Sequence, residues 1–142
     1  MRIAFDIGGV ISKFPIEFAD MMAAMWEAQH VIHILTDMRD RYEVERTLKD
    51  NGVTRFIRSP QHILIADYAT HGEAAKAVVL RDKKIDIFVD DFAGYLVWPW
   101  PEPAPLRLMV MPDPRRPYWH PGWACRGGDF GRRVFMEAKP DA

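Results

Sequence analysis

The sequence predicts an α/β fold, a three-layer arrangement in which helices cover both faces of a mainly parallel five-stranded sheet. Three observations carry that expectation. Short apolar runs of strand length recur at Arg2–Phe5, Val31–Leu35, His62–Ala66, Ile85–Val89 and Leu106–Met111. Such runs suit strands buried on both faces. Helical patterns separate them, which is the alternation of βαβ units. Finally, the first, second and fourth runs end in polar groups, at Asp6, Thr36 and Asp90-Asp91, where open parallel sheets place their ligands.

Taken in order, the first run breaks at Asp6-Ile7-Gly8-Gly9-Val10. Two glycines behind an acid let the backbone turn sharply and come close to a bound group. Ile11–Pro15 reads as a loop, with Pro15 placed to open a helix. From Ile16 to Gln29, the residues Phe18, Met21, Met22, Met25 and Trp26 recur near helical spacing and read as a core stripe. After the second strand and Thr36-Asp37, Arg39–Asn51 is a charged helix with Val44 and Leu48 on one side, and Gly52 closes it. Val53–Ile57 fits neither pattern. Ser59-Pro60 breaks the chain before the third strand.

His71-Gly72-Glu73 leads into a helix running to about Leu80, and the fourth strand follows. A short helix over Phe92–Val97 is stopped by the proline- and tryptophan-rich 98–103 stretch, ahead of the fifth strand.

The 142 residues fit one domain spanning 1–142, with a core over about 1–111 and an irregular extension over about 112–142. Hydrophobic content of 49%, charged content of 27% and a net charge of −1 describe an ordinary globular chain. Without a basic excess, the balance argues against a nucleic-acid groove. The single Cys125 excludes an internal disulfide and a multi-cysteine zinc site, and reads as an inert thiol in a reducing compartment. The chain opens directly on a strand and no apolar run is long enough to span a bilayer, so a cytoplasmic location is expected.

In a parallel sheet the strand C-termini share one edge, so Asp6, Thr36 and Asp90-Asp91 converge if their strands are neighbours. Carboxylates meeting there repel unless a cation or a proton lies between them. Magnesium suits such oxygen ligands and keeps waters for a substrate phosphate. Thr36 offers a hydroxyl to a phosphoryl oxygen, and Lys76 offers a positive charge beside Asp6. Lys83 and Lys84 are rivals for that role, but a solvated turn accounts for them better. The five histidines, His30, His33, His62, His71 and His120, show no ligand spacing and read as structural or exposed. Tyr118–Trp123 reads as packing over a sheet edge or as a contact between copies of the chain. The pairs Arg115-Arg116 and Arg132-Arg133 read as solvated charge.

Phe5-Asp6-Ile7-Gly8-Gly9-Val10, Ile34-Leu35-Thr36-Asp37, Lys76 and Phe88-Val89-Asp90-Asp91 resemble the four ordered motifs of the haloacid dehalogenase-like phosphohydrolases. The resemblance covers about Met1 to Met111. It implies a Rossmann-like sheet and an aspartyl-phosphate mechanism acting on a small phosphorylated molecule, nucleotides included. Asp6 would be the nucleophile. Magnesium would be held by Asp6, the carbonyl of Gly8 and an acid of the Asp90-Asp91 pair. Thr36, Gly9 and Lys76 would face the phosphate, and Lys76 would also offset charge during the reaction.

One position departs from the family pattern. A second aspartate normally stands two residues after the nucleophile, protonating the leaving group and then activating water; here that position is Gly8. Loss of a positioned acid-base costs on the order of 10²–10⁴-fold in rate. Aryl and acyl phosphates, whose leaving groups need the acid least, are the expected substrates. The stretches 11–30 and 38–75 leave no room for a full cap domain, so an open site is expected. An open site suits a macromolecular substrate, or one covered by a partner subunit. The other readings are a magnesium- and phosphate-binding module without turnover, and an actin-like sugar kinase, for which the chain is too short and lacks the expected hairpin.

Overall fold

The computed structural model describes residues 1–96 and 104–110. Five strands, β1 (Arg2–Phe5), β2 (Val31–Thr36), β3 (Ile63–Ile65), β4 (Ile87–Asp90) and β5 (Leu106–Met109), form one sheet in the order β3-β2-β1-β4-β5. Every pairing is parallel. The α/β expectation is therefore met. Cys125, the Tyr118–Trp123 stretch, both arginine pairs and the rest of the extension lie outside the described residues, as does the 97–103 stretch.

Alternation along the strands sorts the core into two layers. Ile3 and Phe5 of β1, with Ile32 and Ile34 of β2, pack with Phe18 and Met22 of α1 (Pro15–Glu27) and with Val44 and Leu48 of α2 (Arg41–Asp50). Ala4, Leu35 and Phe88 face the other way. They pack with Ala75 and Leu80 of α4 (Ala75–Lys83) and with Tyr95 and Leu96 of α5 (Ala93–Leu96). Between β3 and α4 lies the single turn α3 (Tyr68–His71). Among the described residues no helix is long and apolar enough to cross a membrane.

Local chemistry explains the helix ends. Pro15 stands in the first turn of α1, where its missing N–H costs nothing. Asp40 caps α2 by accepting from the backbone N–H of Tyr42 and Glu43. Gly52 follows α2 with φ of +71°, the left-handed position that ends many helices. The methionine-aromatic stripe holds for Phe18 and Met22, which are buried, and for Met25 and Trp26, which pack against the core. Met21 departs from it: at 44% exposure it faces solvent, on the edge of the stripe. The 53–57 stretch resolves into a 3-10 turn over Thr54–Phe56 that buries Phe56. His62 closes a second such turn, so the third strand starts one residue later than expected.

Candidate functional site

Parallel register decides which strand ends meet. Phe5 pairs with Val89 on one side and with Ile34 on the other, and the N–H of Asp6 donates to the carbonyl of Val89 at 3.0 Å. The ends of β1 and β4 are thus side by side, with β2 beyond β1. Chain order reverses direction between β1 and β4, which is the crevice where ligands bind to open α/β sheets. Asp6 and Asp90 share the strand parity of Ala4 and Phe88, so both turn toward the layer that holds α4.

Past Asp6 the chain makes a wide turn over Ile7–Ile11, closed by the N–H of Ser12 donating to the carbonyl of Ile7 at 2.9 Å. Ile7, Val10 and Ile11 are buried in the α1 side of the core and pin this turn. Gly8 is extended (φ −65°, ψ 130°), whereas Gly9 takes φ of +68°, a conformation that favours glycine. The space above Gly9 is filled by Asp91, whose carboxylate lies where a side chain would start.

Asp6, Asp90 and Asp91 are buried, and one carboxylate oxygen from each lies within 4.8 Å of the other two. Such a cluster could bind a metal ion. Both oxygens of Asp91 are buried without a hydrogen-bond partner, a costly state unless another group meets them. Among the described residues no other histidine, cysteine or acid belongs to it.

Lys76 comes from α4 and is fully buried. Its Nζ lies 2.9 Å from Asp6 Oδ1 and donates to Asp90 Oδ2 at 2.5 Å. Asp90 Oδ1 accepts from the N–H of Phe92 at 2.8 Å, which fixes the turn after β4. Three carboxylates face one ammonium, an excess of two negative charges when all are ionised. The titration of the cluster reflects that excess. Burial pushes Asp90 up to about 7, with Lys76 pulling it down and Asp6 pushing it up. Burial, then the charges of Asp90 and Asp6, push Asp91 up to about 8. Burial works against the Lys76 ammonium, but Asp6 and Asp90 outweigh it and hold its pKa above the ordinary lysine value. The group is a proton or cation trap: remove protons and it calls for positive charge.

No family model, curated protein or solved structure matches this chain. The site therefore stands on its own geometry.

Of the residues expected at the site, Asp6, Lys76, Asp90 and Asp91 come together, with Gly8 and Gly9 in the turn beside them. Thr36 is buried at the end of β2, two strands from β4, and its Oγ1 accepts from the N–H of Met38 at 3.2 Å. Lys83 and Lys84 are exposed at the far end of α4. Two relationships have no sequence signal. Tyr95 packs its ring 4.5 Å from Lys76 Nζ while its hydroxyl donates to Asp37 Oδ2 at 2.8 Å. His33 and His62 pack with ring centroids 4.6 Å apart, away from this cluster. An aromatic residue a few positions after a paired acid, and two histidines 29 apart, look unremarkable until the sheet brings them together.

Proposed function

We propose that the chain is a magnesium-dependent phosphohydrolase of the haloacid dehalogenase-like type, acting on a small phosphorylated molecule. One observation carries this reading. Three buried carboxylates, one of them (Asp91) with both oxygens unpartnered, converge beside a single buried lysine at the sheet's switch point. Structural ion pairs neutralise themselves, whereas this one is short of positive charge.

In the proposed reaction an oxygen of Asp6 attacks phosphorus and the ester oxygen leaves with its electron pair, taking a proton from solvent. Water then attacks the phospho-aspartate, releasing inorganic phosphate and restoring Asp6. Lys76 orients Asp6 and offsets negative charge on the transferring group. Asp90, Asp91 and the Gly8 carbonyl would join Asp6 in holding magnesium, which when bound supplies further positive charge to the phosphoryl oxygens. Thr36 and the Gly9 turn would face the phosphate.

Gly8 supports a second reading. A chain without an acid-base at that position binds magnesium and a phosphorylated ligand but does not turn it over. Hydrolysis of p-nitrophenyl phosphate and acetyl phosphate with and without magnesium separates the two. The enzyme reading expects magnesium-dependent turnover of both that is abolished by Asp6→Asn, with alkyl phosphates slower by a factor of 10² or more. Beryllofluoride binding without any hydrolysis establishes the binding module instead, and absence of magnesium binding rejects both.

A further inference from the structure

Tyr95 touches both halves of the site. It stands on α5, just after β4, and is 1% exposed. Its ring lies 4.5 Å from the Lys76 ammonium, within cation–π range. Phe92 and Tyr68 meet that ring edge-on at centroid distances of 5.0 and 6.3 Å, leaving it little freedom to turn. At its far end the hydroxyl donates to Asp37 Oδ2 at 2.8 Å. Asp37 directly follows Thr36, whose Oγ1 accepts from the N–H of Met38 in the same turn. The strands β2 and β4 do not touch, because β1 lies between them. Tyr95 therefore crosses the face of β1 on the side of Ala4 and ties the end of β2 to the lysine that holds Asp6 and Asp90.

We propose that Tyr95 is a positioning residue that holds the Thr36-Asp37 turn at a fixed distance from Lys76, so that phosphate-side and metal-side groups meet the same ligand. The proposal rests on the reading of the site given above. Burial, with the charges of Asp90 and Asp6, holds the Tyr95 hydroxyl protonated far above the ordinary tyrosine value. It thus stays a donor to Asp37 throughout the working pH range. Substrate contact is not required of it, because its effect passes through Asp37 and Lys76.

The test uses the full chain and two titrations, magnesium alone and beryllofluoride in saturating magnesium. Tyr95→Phe keeps the ring on Lys76 and deletes the bond to Asp37. It is expected to leave magnesium affinity within about twofold and to weaken beryllofluoride roughly tenfold, the range of one charge-assisted hydrogen bond. Asp37→Ala should produce the same loss, Asp37→Asn, whose amide oxygen still accepts, should largely retain affinity, and Tyr95→Phe with Asp37→Ala should lose no more than either alone. A wild-type chain that binds no magnesium overturns the reading of the site itself. If the wild type binds both probes, unchanged beryllofluoride affinity in Tyr95→Phe and Asp37→Ala overturns the positioning role alone. Equal weakening of magnesium and beryllofluoride in Tyr95→Phe also overturns it, since that is what a general packing defect would do.

Discussion

The Asp91 carboxylate occupies the place from which a side chain on residue 9 would project: a Cβ there would fall 1.7 Å from Asp91 Oδ2. Gly9 also sits at φ of +68°, a conformation that costs other residues roughly 1–2 kcal/mol. Gly9→Ala is therefore expected to fold with a modest loss of stability while expelling Asp91 from the cluster. Magnesium affinity by calorimetry should fall at least tenfold, and Asp91→Asn should fall by a similar factor. Wild-type affinity in Gly9→Ala would remove Asp91 from the ligand set.

Stability of the metal-free chain should change with pH in an unusual direction. The folded state holds protons on Asp90 and Asp91 up to about 7 and about 8, whereas unfolded aspartates release them near pH 4. A raised folded-state pKa means that the native chain binds more protons than the unfolded one across that window. This contribution to stability is complete below about pH 4 and is lost as pH rises through about 8. Magnesium stabilises the ionised acids, so it should raise the melting temperature strongly at pH 8 and little at pH 5. Thermal melts with and without magnesium at those two values check this; an equal shift at both would show that the ion binds elsewhere.

Much of this arrangement is legible in the amino acids because it follows from strand periodicity. An apolar run of four or five residues ending in an acid places that acid at the sheet edge, and that position at the end of a run pointed to Asp6 and the Asp90-Asp91 pair. Register is not legible: that Phe5 lies opposite Val89, bringing Asp6 to Asp90, emerges only from the pairing of strands more than 80 positions apart. Helix ends were read well where a side chain or glycine marks them, as at Pro15 and Gly52. The helix that His71-Gly72-Glu73 leads into begins at Ala75 and runs to Lys83, past the expected end near Leu80, and Gly72 at φ of +58° separates it from the turn before it. Tyr95 and the histidine pair could not be found from spacing, since their partners lie on other elements.

Lys76 separates stability from cation binding. Replacing it with methionine keeps most of the side-chain volume and leaves Asp6 and Asp90 without their ammonium. Removing one partner of a buried ion pair typically costs about 3–5 kcal/mol, and this loss should be felt most at pH 8, above the value of about 7 at which Asp90 ionises. At pH 5, where Asp90 holds its proton, the change is better tolerated. Lys76→Met should bind magnesium at least as tightly as the wild type, because a competing positive charge has gone, yet show no phosphatase turnover. Denaturant melts at pH 5 and 8, alongside magnesium titrations, measure both sides. A variant equally destabilised at the two pH values would place the role of Lys76 in packing rather than charge.

A second titrating element lies on the same layer of the fold. His33 is buried on β2 with neither ring nitrogen hydrogen-bonded, and its ring meets that of His62. Burial, then the positive groups His62, Arg2 and Lys83, lower its pKa to about 4. A histidine lowered from about 6.5 favours the folded chain fully above that value and loses the advantage as pH falls toward 4. The loss amounts to roughly 3 kcal/mol by pH 4, given 1.36 kcal/mol per unit of pKa. It opposes the gain from Asp90 and Asp91, so the acid limb of the stability curve holds both. His33→Leu isolates it: relative to wild type, the variant should gain on the order of 3 kcal/mol between pH 7 and pH 4 in urea denaturation. A stability difference that stays constant across that range would mean that His33 is already paired or hydrated when the chain folds.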